Sequence, residues 1–458
     1  MFSTNAKLDY VAQGKKTNAK IYRNLMPLLI LAYIISFIDR TNIGMAKNAM
    51  SIDLGLSATA FGIGAGLFFL TYSILEIPSN LIMEKVGARF WITRIMITWG
   101  LLSAAMAFVT GPTSFYILRL LLGAAEAGLY PGVILYMTYW FSQEERAKAT
   151  GLFLLGVCLA NIIGAPLSGL LLSMDGLLGF HGWQWMFVIE GLPAVILAFV
   201  VWFVLPNKPE DAKWLDEDDR NYIKYKHDQD KNSISVSNSK FSLKAAFKNK
   251  AFMMIVAIYF THQFSVYGLS YFLPTIIGEY GKLTPIQIGL LTAIPWISAA
   301  IGGIFVARKA NTPQRSSRIL ISGYAVMAVG LVIGALGGPV VGLIGFCLTA
   351  FMFFVVQSII FSLPPTYMSG SMLAGSLALL NCLGLFGGFL GPFILGFFED
   401  YTGTATSGLW FGVGLLVIGT IIASRVNTNG MSEPNHYKYR LQWKASNSTS
   451  PFTIGKSA

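Results

Sequence analysis

Long apolar stretches alternate with short polar loops along most of the chain. Each stretch holds about 18 to 25 residues, enough to cross roughly 30 Å of hydrocarbon as a helix. About twelve are present, six on each side of a polar segment at 206–250. The first six cover approximately 24–46, 58–82, 90–110, 113–140, 148–174 and 185–205, and the second six approximately 252–278, 285–307, 317–337, 340–363, 372–398 and 407–425. The pattern predicts an all-α membrane protein with twelve transmembrane helices in two six-helix bundles.

The polar segments complete the predicted organisation. We expect an N-terminal segment at 1–23, a first bundle at 24–205, a linker at 206–250, a second bundle at 251–425 and a tail at 426–458. The linker is acidic, then basic, then rich in Ser and Asn, which predicts a partly helical and partly flexible connection. The polar tail predicts disorder. The N-terminal segment lacks the features of a removable signal peptide, so we expect the first helix to be retained.

Composition and charge sharpen this interpretation. The chain is 54% hydrophobic and 12% charged, which lies outside the range of soluble domains. Its net charge of +11 at pH 7 comes from basic residues in alternate loops, with Lys47 and Lys282 as the clear exceptions. The positive-inside rule therefore predicts that both termini are cytoplasmic. The charge is an orientation signal and does not indicate a nucleic-acid partner.

Cysteine and histidine usage argues against a metal or catalytic centre. Cys158, Cys347 and Cys382 lie within apolar segments and lack metal-ligand spacing. The four histidines are scattered, and of these only His262 lies within a span. We therefore expect no cofactor and no enzymatic activity, with His262 as the residue to test for the alternative of a membrane-embedded enzyme.

Asp39, Arg40, Arg119 and Glu126 lie within spans of the first bundle, where each charge costs about 2.5–3.5 kcal/mol on insertion scales. Arg119 and Glu126 are seven residues apart and share one helix face. Asp39 and Arg40 point about 100° apart, so one can face a neighbouring helix while the other faces a central cavity. A shielded carboxylate near a guanidinium can change its protonation state with modest rearrangement, and a free guanidinium suits a carboxylate ligand. The alternatives are a structural ion pair for Arg119 and Glu126, and snorkelling at the interface for Asp39 and Arg40.

Neutral polar groups dominate the second half, which has no charged residue from 319 to 398. Several lie at helical spacing and could contact a hydroxylated ligand. For the tyrosines the alternative is packing, and for the Asn of the eleventh span it is a hydrogen bond between helices. The predicted cavity residues of both halves are Tyr72, Asn161, Gln263, Tyr267, Gln357 and Asn381, with Tyr259, Tyr271 and Glu76 as further polar side chains within spans.

The loop "NLIMEKVGARFWITR" at 80–94 joins the second and third spans. Its Glu84, Lys85, Gly87 and Arg89 resemble the loop signature of the major facilitator superfamily. A carboxylate followed by cations at a helix end can bond the end of a facing helix and act as a cytoplasmic gate. The alternative is an ordinary positively charged cytoplasmic turn.

The segments "FIDRTNIG", "EIPSNLIMEKVGAR", "RLLLGAAEAGLYPG", "GWQWMFVIEGLP" and "PEDAKWL" occur in this order. Together they resemble the anion:cation symporter family of the major facilitator superfamily, near bacterial rhamnonate, tartrate and hydroxyphenylacetate permeases. The resemblance implies twelve helices, alternating access and proton-coupled uptake of an organic carboxylate. By matching motif positions it also implies proton-linked roles for Asp39 and Glu126, carboxylate contact for Arg40, coupling by Arg119, and cavity contacts from Tyr72 and Asn381.

We therefore expect a monomeric secondary transporter of the bacterial cytoplasmic (inner) membrane. Its predicted partners are a small monovalent organic anion, protons and the lipid bilayer, with no nucleic acid. The predicted cargo is a sugar acid such as an aldonate, or tartrate. An aromatic-acid permease, an exporter of the same fold and a sensor derived from a transporter are the alternatives.

Overall fold

The computed structural model describes residues 4–233, 243–367 and 370–426, and this part of the chain is helical without strands. Within it, eleven helices are long and apolar enough to cross a membrane, and the shorter apolar helix Leu409–Arg425 follows them. The predicted all-α membrane architecture is confirmed. The predicted tail lies outside the described residues apart from its first position.

Seven helices form the first bundle. They are α1 (Thr4–Leu54), α2 (Ala58–Val86), α3 (Ala88–Ala105), α4 (Pro112–Glu126), α5 (Leu129–Trp140), α6 (Gln143–Leu172) and α7 (Gly182–Val204). Helices α4 and α5 together make one span, Pro112–Trp140. The break between them contains Gly128, whose φ of +93° is readily adopted only by glycine. A Cβ at this position would also lie 2.1 Å from the Ser79 hydroxyl oxygen.

The linker contains two helices, α8 (Glu217–Ser233) and α9 (Leu243–Lys248). The second bundle contains α10 (Lys250–Gly278), α11 (Pro285–Phe305), α12 (Pro313–Leu336), α13 (Pro339–Phe351), α14 (Phe353–Ser362), α15 (Pro364–Tyr367), α16 (Gly370–Thr402) and α17 (Leu409–Arg425). Helices α13 and α14 together make one span, Pro339–Ser362. The twelve spans therefore follow the predicted order.

Helix α1 is much longer than the predicted span at 24–46. At its N-terminal end it packs against the start of the linker, where the Thr17 hydroxyl donates to Asp219 at 2.6 Å and Lys20 donates to Asp216 at 2.8 Å. At the other end it continues to Leu54. Polar residues lower the hydropathy there, but Lys47 is buried against the second bundle, which supports the added helical turns.

The loops lie on two faces of the molecule. The face that carries the linker is called the linker face, and the face that carries the loops at 55–57, 173–181 and 403–408 is called the opposite face. On the opposite face α2 and α16 are in close contact, since a Cβ at Gly62 would lie 2.2 Å from the Pro392 carbonyl oxygen. Likewise, a Cβ at Gly396 would lie 2.1 Å from the carbonyl oxygen of Ala58. The two bundles are therefore packed together on the opposite face.

Candidate functional site

A buried ion pair lies at the centre of the first bundle, between Arg40 on α1 and Glu126 at the end of α4. Arg40 is 5% exposed and Glu126 is 1% exposed. Ser36, one turn before Arg40, donates its hydroxyl to the same carboxylate oxygen at 2.7 Å. Because both charges are shielded from water, neither can lose the other without a large electrostatic penalty.

Aromatic rings surround the Arg40 guanidinium. Its central carbon lies 4.6 Å from the ring centre of Phe37, 5.1 Å from Phe68 and 4.9 Å from Tyr72. These distances permit cation–π attraction, which holds the guanidinium in place. The Arg40 Nε is buried and has no hydrogen-bond partner among the described residues. Buried donors are nearly always satisfied, so this N–H marks a position where an external acceptor could bind.

Arg119 is also buried, but its partners are backbone carbonyls. It donates to Gly64 at 3.3 Å and to Ala65 at 3.0 Å, both on α2. Within the described ranges no salt bridge joins it to a carboxylate, and Glu126 pairs with Arg40 instead. The shared helix face predicted for Arg119 and Glu126 therefore does not make them partners in this conformation. A coupling role for Arg119 stays a prediction.

Asp39 points away from the ion pair, in agreement with the angle expected between neighbouring helical residues. Its carboxylate accepts hydrogen bonds from Trp99 Nε1 at 2.7 Å and from the Ser103 hydroxyl at 2.9 Å, both on α3. It is 1% exposed. In the described structure it bonds to neutral donors, and no cationic side chain reaches it. Its proton-linked role stays a prediction.

Asn381 joins the two bundles. Its amide nitrogen on α16 donates to both carboxylate oxygens of Glu76 on α2, at 2.9 and 2.8 Å. The Tyr259 hydroxyl donates to the Asn381 oxygen at 3.3 Å. The alternative of a hydrogen bond between helices therefore describes Asn381 in this conformation. Substrate contact would require it to release Glu76.

The polar residues of α10 are buried. The Gln263 side-chain oxygen lies 3.1 Å from His262 Nδ1, and His262 Nε2 lies 2.9 Å from the Phe353 carbonyl oxygen. Both ring nitrogens of His262 thus have partners in the core, which leaves neither available to a substrate. Tyr267 packs on Phe69 of the first bundle, with ring centres 4.2 Å apart.

Three further polar residues have different surroundings. Asn161 is buried and donates to the Val157 carbonyl at 2.8 Å within its own helix. Gln357 on α14 is half-buried. The Tyr271 hydroxyl is buried and interacts with the Arg119 guanidinium, and it also lies in electrostatic range of Arg40. Tyr271 is therefore a buried polar group between the two arginines.

The loop between α2 and α3 is bonded within its own bundle. Gly87, with a φ of +93°, forms the turn. The Arg89 backbone N–H donates to the Asn207 side-chain oxygen at 3.0 Å, and its side chain donates to the Leu205 carbonyl at the end of α7. Glu84 and Lys85 are exposed. No hydrogen bond between described residues connects 84–94 to the second bundle, so the gate role of this loop stays a prediction.

Ion pairing on the opposite face joins the bundles and was not predicted. Lys47 donates to both carboxylate oxygens of Glu399 on α16, at 2.7 and 2.8 Å. The neighbouring Asp400 accepts from the backbone N–H groups of Ala58 and Thr59 at 2.9 and 2.8 Å. A carboxylate is favoured at this helix N-terminus by the exposed amides and the helix dipole. The unusual cation at position 47 was the available sequence signal.

The model of the family named Major Facilitator Superfamily matches residues 29–392. The chain belongs to the Major Facilitator Superfamily. The similarity of the chain to individual members of the superfamily extends beyond this matched range. It also supports the resemblance to the anion:cation symporter branch of the superfamily.

Three similar proteins are named for a substrate, for drug resistance or for a membrane location. A putative tartrate transporter of Agrobacterium vitis is 42% identical over 405 residues, covering 88% of this chain and 93% of the relative. A quinolone resistance transporter of Acinetobacter baumannii is 39% identical, covering 87% and 92%. The inner membrane transport protein RhmT of Escherichia coli strain K12 is 37% identical, covering 93% and 97%. The chain is therefore a multi-pass membrane transporter and not an enzyme.

A solved structure of the superfamily shares the same fold. The crystal structure of a bacterial homologue of the human lysosomal transporter Spinster, in an inward-facing and occupied conformation, superposes with a TM-score of 0.73. The alignment covers 90% of this chain and 99% of the other at 17% identity. At this identity the likeness establishes the fold alone.

Proposed function

We propose that the protein imports an organic carboxylate together with protons, by alternating access of the two bundles. The observation that carries this proposal is the buried pair of Arg40 and Glu126, with the unpartnered Arg40 Nε beside it. A substrate carboxylate would compete there with Glu126 for the positive charge of Arg40, and a proton on Glu126 would remove that competition. Linkage of this kind couples the two fluxes because the substrate binds Arg40 when Glu126 carries a proton.

The cycle begins with the opposite face open. A proton from solvent binds the Glu126 carboxylate and removes its charge, which leaves Arg40 as an uncompensated buried cation. The substrate carboxylate then binds the guanidinium, whose donors suit it geometrically. After the bundles rock, Glu126 releases its proton on the linker face. The restored carboxylate pairs again with Arg40 and displaces the substrate.

The direction of transport follows from the predicted orientation. Basic loops on the linker face favour a cytoplasmic location for that face, so the opposite face would meet the outside. A proton gradient directed inward would then drive uptake. The bundle contacts on the opposite face correspond in this scheme to a conformation closed to the outside.

A hydroxylated acid is the favoured cargo. The Arg40 charge supplies one carboxylate site, and the Tyr271 hydroxyl beside Arg119 supplies a buried polar group. Tyr72 and Tyr267 add ring surface with hydroxyl groups. The similarity to a protein named as a putative tartrate transporter supports a sugar acid or hydroxy acid.

An exporter is the second candidate function, because one relative is named as a quinolone resistance transporter. Quinolone antibiotics also carry a carboxylate, so the Arg40 site alone does not separate the two directions. Cells that express the protein should gain carboxylate uptake if it is an importer. They should gain quinolone tolerance without such uptake if it is an exporter.

The substrate screen uses thermal shifts of purified protein with tartrate, rhamnonate and hydroxyphenylacetate at two pH values. Transport is then measured in proteoliposomes as uphill accumulation and as counterflow. We expect Glu126→Gln to keep counterflow and to lose accumulation, because the neutral amide cannot release a proton. Glu210→Gln, at an exposed linker position, is the matched control and should behave as wild type. Intact accumulation by Glu126→Gln would refute the proposed coupling site.

A further inference from the structure

Glu190 on α7 is a buried carboxylate that the proposed cycle does not use. It is 3% exposed. The Ser168 hydroxyl on α6 donates to one of its oxygens at 2.8 Å, and the Asn42 amide nitrogen on α1 donates to the other at 2.9 Å. Both donors are neutral. In the part of the chain that the structure describes, no cation forms an ion pair with Glu190.

A charged carboxylate in this position would be poorly compensated. Removing an ion from water carries a penalty of several kcal/mol, and two neutral hydrogen bonds offset only part of it. Glu126 differs because Arg40 balances its charge. The neutral, protonated carboxyl is therefore the form of Glu190 that suits these surroundings.

The Asn42 side chain is compatible with a proton on Glu190. The Asn42 Oδ1 is buried and has no hydrogen-bond partner among the described residues. The two ends of an amide are assigned from the hydrogen-bond network, so the oxygen and the nitrogen can exchange places. A protonated Glu190 could then donate its O–H to the Asn42 oxygen. In that orientation the amide nitrogen would take the buried position of the unpartnered oxygen, so Asn42 permits either protonation state of Glu190.

Glu190 lies near Asp39 but closer to the opposite face. Asn42 is one helical turn after Asp39, and α3 packs against α7 beside Glu190, where a Cβ at Gly191 would lie 2.8 Å from the Ala104 backbone nitrogen. Glu190 is about 12 Å along α7 from its end on the opposite face. Asp39 is about 22 Å along α1 from the corresponding end. Glu190 is therefore the outer of the two carboxyl groups.

The side chains around Glu190 are mostly neutral. Among the described residues, Asp39 on α1 is the titratable side chain close enough to interact electrostatically with Glu190. Helix α6 presents the Ser168 hydroxyl, and α3 contributes Ser103, which donates to Asp39. A change of charge at Glu190 would therefore act mainly on Asp39.

We propose that Glu190 binds one proton from the outside and releases it to the cytoplasm in each transport cycle. This inference rests on the proposed function and adds a third proton-binding carboxyl to Asp39 and Glu126. The step is a simple protonation of the carboxylate, with no other bond formed or broken. Rearrangement of α1 against α6 and α7 would expose the group to water and let the proton leave.

The test measures the proton-to-substrate ratio from reversal potentials in proteoliposomes. The probe is whichever of tartrate, rhamnonate and hydroxyphenylacetate the wild-type protein transports, and counterflow of the same anion reports intact folding and binding. We expect Glu190→Gln to keep counterflow and to carry one proton fewer per anion than wild type. Glu190→Asp should retain the wild-type ratio because it can still titrate. Glu210→Gln is the control for removing a carboxylate elsewhere.

Ser168→Ala gives a second test if Glu190→Gln does not fold. Loss of a hydrogen bond to the charged form should shift the midpoint of transport against pH upward by about one unit. If wild type couples transport to protons, the inference about Glu190 would be overturned by either of two results. These are an unchanged proton-to-substrate ratio in Glu190→Gln and an unchanged pH midpoint of transport in Ser168→Ala. A wild-type reversal potential that ignores the pH gradient would instead overturn the proposed function itself.

Discussion

Replacing Lys47 with methionine tests whether ion pairing holds the opposite face closed. Lys47 is 3% exposed at its side chain and its partner Glu399 is 19% exposed. Breaking a fully buried pair costs about 3–5 kcal/mol, because one charge is left without a partner. Partial exposure of Glu399 reduces this to about 2–4 kcal/mol. The ratio of open to closed molecules should therefore rise by about 30- to 700-fold.

Distances between two spin labels report this change. The labels are placed on cysteines at Ile52 on α1 and Tyr401 on α16, which are 82% and 81% exposed, in a variant without native cysteines. We expect Lys47→Met to add a population at longer distance. Lys282→Met is the matched control because it removes an exposed cation near the same face. If Lys47→Met and Lys282→Met gave the same distribution, the ion pair would not control closure.

Two further predictions concern packing and the linker. Gly302→Ala should lower the melting temperature by several degrees, because the added Cβ would lie 1.8 Å from the Phe351 carbonyl oxygen. Gly414→Ala should leave the melting temperature unchanged, because a Cβ at that position meets nothing within 4 Å. Equal melting temperatures for Gly302→Ala and Gly414→Ala would contradict the close contact between Gly302 and Phe351. Hydrogen bonding to Lys20 lowers the pKa of Asp216. The charged Asp216 therefore stabilises the docked linker fully above about pH 4, and this stabilisation is lost progressively as the pH falls further. Limited proteolysis of the linker should thus stay constant from pH 8 to pH 5, and a change within that range would contradict the assignment.

Hydropathy predicted the fold because a bilayer imposes one requirement on every span. Backbone groups in hydrocarbon must bond internally, so each long apolar stretch becomes a helix. The same signal misplaced the end of α1, which runs to Leu54. Beyond residue 46 the helix is supported by contact with the second bundle, including the bond from Lys47 to Glu399. A local average of hydropathy does not contain that contact.

The buried charged residues of the candidate site could be identified from the sequence, their partners were predicted only in part, and their roles stay predictions. Helical geometry correctly separated Asp39 from Arg40, since that angle is fixed within one helix. The same geometry grouped Arg119 with Glu126, yet the partner of Glu126 comes from a different helix. Glu190 was not singled out, because its burial against Asn42 and Ser168 depends on how three helices pack. Pairing between helices is a tertiary property that spacing along one helix cannot supply.

The most direct test of competition at Arg40 is equilibrium binding of the transported anion at pH 5.5 and pH 8. Wild-type affinity should fall at the higher pH, because the proposed cycle binds the anion together with a proton. Glu126→Gln should bind with an affinity that depends less on pH than that of wild type, since the amide never competes as an anion. A Glu126→Gln protein that retained the full pH dependence of wild type would contradict the linkage of proton and substrate binding at this ion pair.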